Sequence, residues 1–424
     1  MEGIFGIFSK EECSSSLHKG TFLLQHRGQQ YCGLSTSDGK EIKIRTHRGL
    51  VGPSFENDLP GLEGFSGIGY TGSETRQPIS RHCKQGKFII AFNGCITNSE
   101  ELRRELLKKG HSFSGLEDAE LIATIISQEK NIADGISLTL EKIKGPCSLI
   151  LLSKDGIYAA RDTMAMRPLV LGEGEDRQMV ASESCVFGPD SKIKRDMSPG
   201  EIILLNRNGF NVVKRGSEGR KHCSFEWIYY ARPDSFIEGI SVVRARQNLG
   251  KFLAQQDCIE ADIVGPVPFS GICHAEGYHL ESSLPNLEVF LPPQYFKRTY
   301  NMPLEARKKE KNTKLTPLAS NVRGKKIILV DDSIRSGITM RGLIDSLKKA
   351  GAKEVHVRIA SPISIKYCPY ERSPLKEENF IASDMNAEEI RKFIKADSLK
   401  FQKLEDIPKA IGLPRGSLCL ECFV

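Results

Sequence analysis

The sequence reads as two domains, the second an α/β unit built on a parallel sheet, and three observations predict this. The chain has 424 residues, too many for one ordinary hydrophobic core and enough for two domains of about 200 residues each. Ile327 to Val330 form an apolar run of the length expected of a strand buried on both faces, and the run stops abruptly at Asp331 and Asp332. At the other end, Ile4 to Phe8 predict a buried strand almost at the N-terminus, an unusual place for one because chain ends normally fray.

The acidic pair opens a short loop of small and hydroxylic residues, Ser333, Ser336, Gly337 and Thr339, and Met340 to Ala350 then read as a helix that stops at Gly351. Such a loop turns backbone N–H groups and a helix N-terminus toward an anion. The two carboxylates accept hydrogen bonds from neighbouring hydroxyls. One face is thereby suited to a sugar diol together with its phosphate.

Composition narrows the function further. At 39% hydrophobic and 27% charged residues the chain is ordinary for a soluble protein. Its net charge of +7 suits an anionic small molecule, but Lys and Arg are scattered rather than striped, which speaks against nucleic acid. No apolar run approaches a membrane span and the N-terminus lacks a signal-peptide pattern, so a cytoplasmic location is expected. Twelve cysteines in such a chain are expected to be mostly small buried hydrophobes rather than a disulfide framework.

The N-terminal half carries a series of motifs: Gln25-His26-Arg27-Gly28-Gln29, Phe92-Asn93-Gly94, Asp118 within E-D-A-E, Arg161-Asp162 with Arg167-Pro168-Leu169, and Ser182-Glu183-Ser184. With the opening G-I-F-G-I, these resemble the N-terminal-nucleophile glutamine amidotransferases. The resemblance implies an α+β fold of αββα type. It also implies that Asn93 and Gly94 serve an oxyanion hole, that Asp118 holds the substrate amine, and that Arg27 belongs to the same centre. Ala165 stands where the family motif has glycine.

The nucleophile itself is missing. The family begins M-C-G-I-F-G-I and its freed cysteine attacks the amide with its own α-amine as base, whereas position 2 here is Glu2. A carboxylate is a far poorer nucleophile than a thiolate, and Glu is too large for ordinary removal of the preceding Met. The family's G-H-T-R-Y-S-T, whose arginine holds the glutamine carboxylate, appears here as Gly69-Tyr70-Thr71-Gly72-Ser73. Arg76 is the nearest replacement, but a displacement of a few residues misplaces a bidentate clamp. Cys13, Cys32 and Cys95 are expected to be buried structural thiols rather than substitute nucleophiles.

A polar stretch, Asn206 to Lys221, marks the end of a hairpin and the junction, dividing the chain into 1–222 and 223–424. Cys223 to Ser235 and Gly239 to Arg246 then resemble the signature of the glutamine phosphoribosylpyrophosphate (PRPP) amidotransferases, C-x-F-E-x-V-Y-F-A-R-P-D-S followed by G-x-S-V-Y-x-x-R. The central string V-D-D-S-I-R-S-G-I-T resembles their PRPP loop. The resemblance implies a type I phosphoribosyltransferase domain in which Asp331, Asp332, Ser333, Arg335, Ser336, Gly337 and Thr339, with Ser270 and Arg298, bind PRPP, and Asp331 and Asp332 meet Mg²⁺. A helix Val243 to Gln256 and a strand Ala261 to Val267 lead to Pro268-Phe269-Ser270-Gly271, where the family has P-D-S-G at the pyrophosphate. Pro292 and Gln294 likewise replace a family lysine and arginine that would neutralise the departing pyrophosphate. Lys297, Arg307 and Lys314 are nearby cations, and Glu305 to Lys314 reads as a solvated helix or mobile loop, with a catalytic lid as the alternative. Val355 to Ile359 predict a further strand.

Four cysteines match the iron–sulfur members of the family: Cys223, Cys368, Cys419 and Cys422. Four thiolates suit a [4Fe–4S] cluster or tetrahedral zinc, and the resemblance favours the cluster. Three functions stay open at this stage. One is an amidophosphoribosyltransferase of purine biosynthesis that uses ammonia, free or from a partner, in place of glutamine. The second is a catalytically silent regulatory paralogue that binds PRPP or a nucleotide, as a homo-oligomer or beside an active paralogue. The third is a ribose-5-phosphate transferase with a different nucleophile.

Overall fold

The computed structural model describes residues 1–84, 86–292, 315–370 and 380–424. It contains two units, the first comprising Met1–Cys223 with Asp234–Gly239 and a short piece beginning at Pro369, the second Ser224–Pro233 and Ile240–Cys368 with the C-terminal residues to Val424.

In the first unit the elements in chain order are β1 (Gly3–Ser9), α1 (Ser14–Leu23), β2 (Tyr31–Ser37), β3 (Ile42–Arg48), β4 (Ser66–Gly72), β5 (Ile79–Cys83) and β6 (Gly86–Gly94). Three helices follow, α2 (Ser99–Lys108), α3 (Asp118–Ile126) and α4 (Ile132–Lys142), and then β7 (Cys147–Ser153), β8 (Gly156–Arg161), β9 (Val170–Gly174), β10 (Arg177–Ala181), β11 (Ser191–Asp196), β12 (Ile202–Asn206) and β13 (Gly209–Lys214). They form a seven-stranded antiparallel sheet, β11-β9-β10-β1-β4-β2-β3, and a six-stranded antiparallel sheet, β13-β12-β8-β7-β6-β5.

Side chains alternate faces along a strand, and this divides the apolar residues into three layers. Ile4, Ile68 and Tyr70 of the first sheet meet Ile89, Ala91, Ile150 and Leu152 of the second. Phe5 and Ile7 point the other way, to Leu17 and Leu24 around α1, while Ile90, Phe92, Leu149 and Leu151 pack under Leu121, Ile122 and Ile125 of α3. The arrangement is the expected αββα sandwich. The strand expected at Ile4 to Phe8 is β1, central in its sheet, which explains how a segment so close to the chain end stays buried.

The second unit contains α5 (Val242–Gln255), β14 (Ile263–Pro266), α6 (Ile272–Ser282), β15 (Lys326–Asp331), α7 (Ile338–Lys349), β16 (Glu354–Ile359), α8 (Ala387–Ile394) and β17 (Ser398–Phe401). The four strands are parallel, in the order β14-β15-β16-β17. Ile327, Ile328, Leu329 and Val330 are all fully buried, as a strand covered by helices on both faces requires. The helix expected from Met340 begins earlier, at Ile338, with Gly337 at its N-cap. Pro266 pairs with Val330 and Asp331 with Ile359, so the loops after β14 and β15 emerge side by side at the carboxyl edge, where open α/β sheets bind ligands. Among the described residues no helix is long and apolar enough to cross a membrane.

Candidate functional site

At the carboxyl edge of the parallel sheet, Asp331 Oδ1 accepts a hydrogen bond from Ser270 Oγ at 2.6 Å and another from the Asp332 amide at 2.9 Å. Asp332 Oδ2 accepts from Ser333 Oγ at 2.6 Å. The loop after β14 is therefore tied to the acidic pair by Ser270. Gly271 permits this, since a Cβ there would stand 2.2 Å from the Val330 carbonyl. Burial, and then the neighbouring Asp332 charge, hold the Asp331 carboxyl well above its ordinary range. Burial also raises Asp332. Two carboxylates so close favour a site shared with a cation or hydroxyl donors.

Gly337 has a φ of +69° and gives α7 its entry turn. Thr339 is exposed in the first helical turn and Ser336 is half-buried in the loop before it, beside amides with no acceptor one turn earlier in the helix. Arg335 departs from a simple phosphate ligand: its guanidinium lies over the Phe380 ring, 5.1 Å from the centroid, and its carbonyl accepts from the Ile381 amide. Phe269 is 61% exposed at the position where an aspartate was expected. Gln294, Lys297, Arg298 and the segment Glu305 to Lys314, which includes Arg307, lie outside the described residues.

The structure brings Glu2, Arg27 and Asn93 together in the first unit. The Glu2 amide donates to Asn93 Oδ1 at 3.3 Å, and Arg27 Nε donates to the Glu2 carbonyl at 2.9 Å. Arg27 and His26 both reach Glu183 Oε1, at 2.5 and 2.7 Å, and Ser235 Oγ donates to its other oxygen. Asn93 is fully buried and its Nδ2 has no partner among the described residues. Gly94 follows it at the end of β6. Asp118 is held differently: its Oδ2 accepts the Ile96 amide at 3.0 Å, bracing the chain just after the Asn93 strand.

Tyr70 fills the space beside Gly72, the position at which the resemblance led us to expect a carboxylate clamp. A Cβ on Gly72 would lie 2.0 Å from the Tyr70 hydroxyl oxygen and 2.5 Å from Cζ, so a side chain at position 72 and this tyrosine exclude each other. Burial, and then the nearby Glu2 carboxylate, hold the Tyr70 phenol well above its ordinary value. Arg76 does not return the lost charge. Its Nε and one terminal nitrogen donate to Thr46 Oγ1 and O on β3, at 2.7 and 2.8 Å. Cys13 and Cys32 are buried thiols that burial pushes up to about 12 and about 11, and Cys95 is also buried. The Tyr70–Gly72 exclusion and the Glu183 hub were missed by sequence reasoning. The tyrosine at position 70 was the only available signal, and its meaning depends on where its hydroxyl points.

Ala165, in the place of a family glycine, has a φ of +49°, a left-handed conformation that costs a Cβ-bearing residue about 1 kcal/mol. Its carbonyl accepts from Arg161 and from His222 Nδ1, at 2.9 and 2.8 Å, which holds the turn in place.

In the second unit, Ser224 donates to the Cys419 carbonyl through both its amide and its hydroxyl, at 3.4 and 3.0 Å, and the Ile365 amide donates to the Cys422 carbonyl at 3.2 Å. Phe423 stacks on Phe225 at 5.4 Å. Cys419 and Cys422 are thereby carried on a tail pinned beside the chain neighbours of the other two expected thiols. Among the described residues no three His, Cys, Asp or Glu side chains are gathered into a ready metal-binding group.

Comparison with known proteins decides the family. The glutamine amidotransferase domain pattern matches residues 68–188 and the phosphoribosyl transferase domain pattern matches residues 297–395. The amidophosphoribosyltransferase of Methanocaldococcus jannaschii is 39% identical, with 100% of this chain and 96% of that protein covered. The chain belongs to the amidophosphoribosyltransferase family. The amidophosphoribosyltransferase of Bacillus subtilis is 35% identical over 99% of this chain and 92% of its own length. The solved glutamine PRPP amidotransferase from B. subtilis, complexed with ADP and GMP, superimposes with a TM-score of 0.92 at 35% identity, covering 100% of this chain and 96% of that one. A solved allosteric regulatory enzyme of purine biosynthesis also gives 0.92, at 34% identity. As an amidophosphoribosyltransferase of purine biosynthesis, the chain has both expected domains, the glutaminase-type sandwich and the phosphoribosyltransferase sheet.

Proposed function

We propose that this amidophosphoribosyltransferase takes its nitrogen as ammonia, free or delivered by a partner protein, and joins it to the ribosyl phosphate of PRPP. The observation that carries this reading is the Tyr70–Gly72 exclusion beside Glu2. With no thiol at position 2 and no carboxylate clamp, the first unit lacks the family's means of attacking a bound glutamine. Asp331 and Asp332 accept the ribose hydroxyls and would hold Mg²⁺, which neutralises charge on the leaving pyrophosphate. The loop Ser333–Thr339 and the start of α7 cradle the 5′-phosphate through backbone amides. Ser270 keeps the two loops in register with each other.

Cys223, Cys368, Cys419 and Cys422 would hold a [4Fe–4S] cluster with the role of anchoring the C-terminal tail. The soft all-thiolate set is the supporting observation, together with the pinned carbonyls of Cys419 and Cys422. A homo-oligomer in the cytoplasm completes the reading.

The test is to incubate anaerobically purified protein with PRPP and Mg²⁺, supply glutamine or ammonium, and follow pyrophosphate release. Release with ammonium alone is expected. Release with glutamine at a comparable rate would overturn the reading. The exposed Phe269 in the pyrophosphate loop favours one alternative, a regulatory paralogue that binds without turnover, and saturable PRPP binding with no pyrophosphate released under either condition would establish it.

A further inference from the structure

The apolar layer between the two sheets of the first unit ends in polar side chains. In the β1–β4 ladder Gly3 pairs with Thr71 and Ile4 with Tyr70, and one further step sets Glu2 opposite Gly72. Alternate residues of a strand share a face. Glu2 therefore follows Ile4 into the space between the sheets, and on β6 Asn93 follows Ile89 and Ala91 into the same layer. Glu2 brings a carboxylate to the end of that layer while only 8% exposed.

Only the backbone of Glu2 is held. Its amide donates to Asn93 Oδ1 and its carbonyl accepts from Arg27 Nε, while Arg27 Nη1 donates to Glu183. Among the described residues the Glu2 carboxylate itself makes no hydrogen bond and no ion pair. Near it stands the fully buried Tyr70, whose phenol the Glu2 charge helps to raise after burial. The Tyr70 oxygen lies 3.4 Å from Thr75 Oγ1. A carboxylate taken out of water without a partner is costly, and a cation beside it offsets that cost.

We propose that the end of this layer binds one ammonium ion on the Glu2 carboxylate, with the hydroxyl oxygens of Tyr70 and Thr75 as further acceptors. The use of that ion as a nitrogen supply rests on the ammonia reading above; its binding does not. Tyr70 already occupies the space over Gly72, which favours an ion over a larger amine. An anion is repelled by Glu2. Mg²⁺ demands a near-octahedral set of oxygens, more than one carboxylate and two hydroxyls offer. Ammonium has N–H donors for all three groups, and its single positive charge matches the single negative one.

Thermal melting of the full chain in ammonium, potassium, sodium and tetramethylammonium chloride at equal ionic strength tests the proposal. Ammonium is expected to raise the melting temperature saturably, by about 2–4 °C over the sodium salt once it is well above its dissociation constant. Glu2→Gln, which keeps the shape and removes the charge, is expected to melt alike in ammonium and sodium. Equal melting of the parent protein in those two salts overturns the proposal, as does a rise of the same size in potassium or an ammonium effect that survives in Glu2→Gln. Pyrophosphate release, followed on the same preparations, separates the two readings. Ammonium-specific stabilisation without release leaves the site standing and overturns the nitrogen reading, and release with ammonium but without stabilisation does the reverse.

Discussion

Tyr70 and Gly72 act as a pair. Because the Tyr70 hydroxyl stands 2.0 Å from where a Cβ at position 72 would be, Gly72→Ala is expected to destabilise the protein by about 1–3 kcal/mol, the usual cost of overpacking. In a Tyr70→Ala background the same change costs less, and a double-mutant cycle in urea gives a coupling of about 1 kcal/mol or more. Equal costs in both backgrounds would show that the two positions do not compete. The same geometry says that restoring the thiol is insufficient. Glu2→Cys leaves glutamate release from glutamine at background, since no clamp holds the substrate. A rate above background in that single variant would show that Gly72 is not limiting.

At the scale of the element, the loop after β15 works because β14 and β15 end together and Ser270 bonds Asp331. Asp331→Asn is expected to weaken PRPP binding in Mg²⁺ by about 1.5–3 kcal/mol, the range for a hydrogen bond to a charged group, and Ser270→Ala by about 0.5–1.5 kcal/mol, both read by titration calorimetry. The end of β11 carries a pH dependence of its own. Burial pushes the Asp196 carboxyl up to about 6, against the pull of Arg161 and with the help of Glu238. An unfolded aspartate titrates near 3.9, so the folded state binds more protons between about pH 4 and 6 and stability falls as pH rises through that window. Asp196→Asn removes this slope, and its melting temperature relative to the parent rises from pH 4 to pH 7, by the equivalent of at most about 3 kcal/mol. A parallel pH profile for the two proteins would contradict the assignment.

On the scale of the whole molecule, the C-terminal tail is a structural part of the second unit. Phe423 is buried against Phe225 and the Cys422 carbonyl accepts from Ile365. Deleting Glu421 to Val424 is expected to cost that unit about 2–4 kcal/mol, as loss of a buried aromatic does, seen as an earlier urea transition. The same deletion removes one of the four thiols, and with it the brown colour expected of anaerobically prepared protein.

Much of this was legible in the chain itself. Strands β1 and β15 were readable because apolar runs bounded by turn residues and acids report local burial, and the loop after β15 because small and acidic residues followed by a helical pattern mark a strand-to-helix turn. The missing thiol was equally plain, since a nucleophile is a single atom at a single position. What the linear order did not contain was distance. That Tyr70 fills the space over Gly72, that Glu183 gathers Arg27, His26 and Ser235, and that Arg76 is held by Thr46 all depend on how two sheets stack and where adjacent strands set their side chains. Those are properties of packing, which joins residues far apart in the chain, and only the tertiary structure decides them.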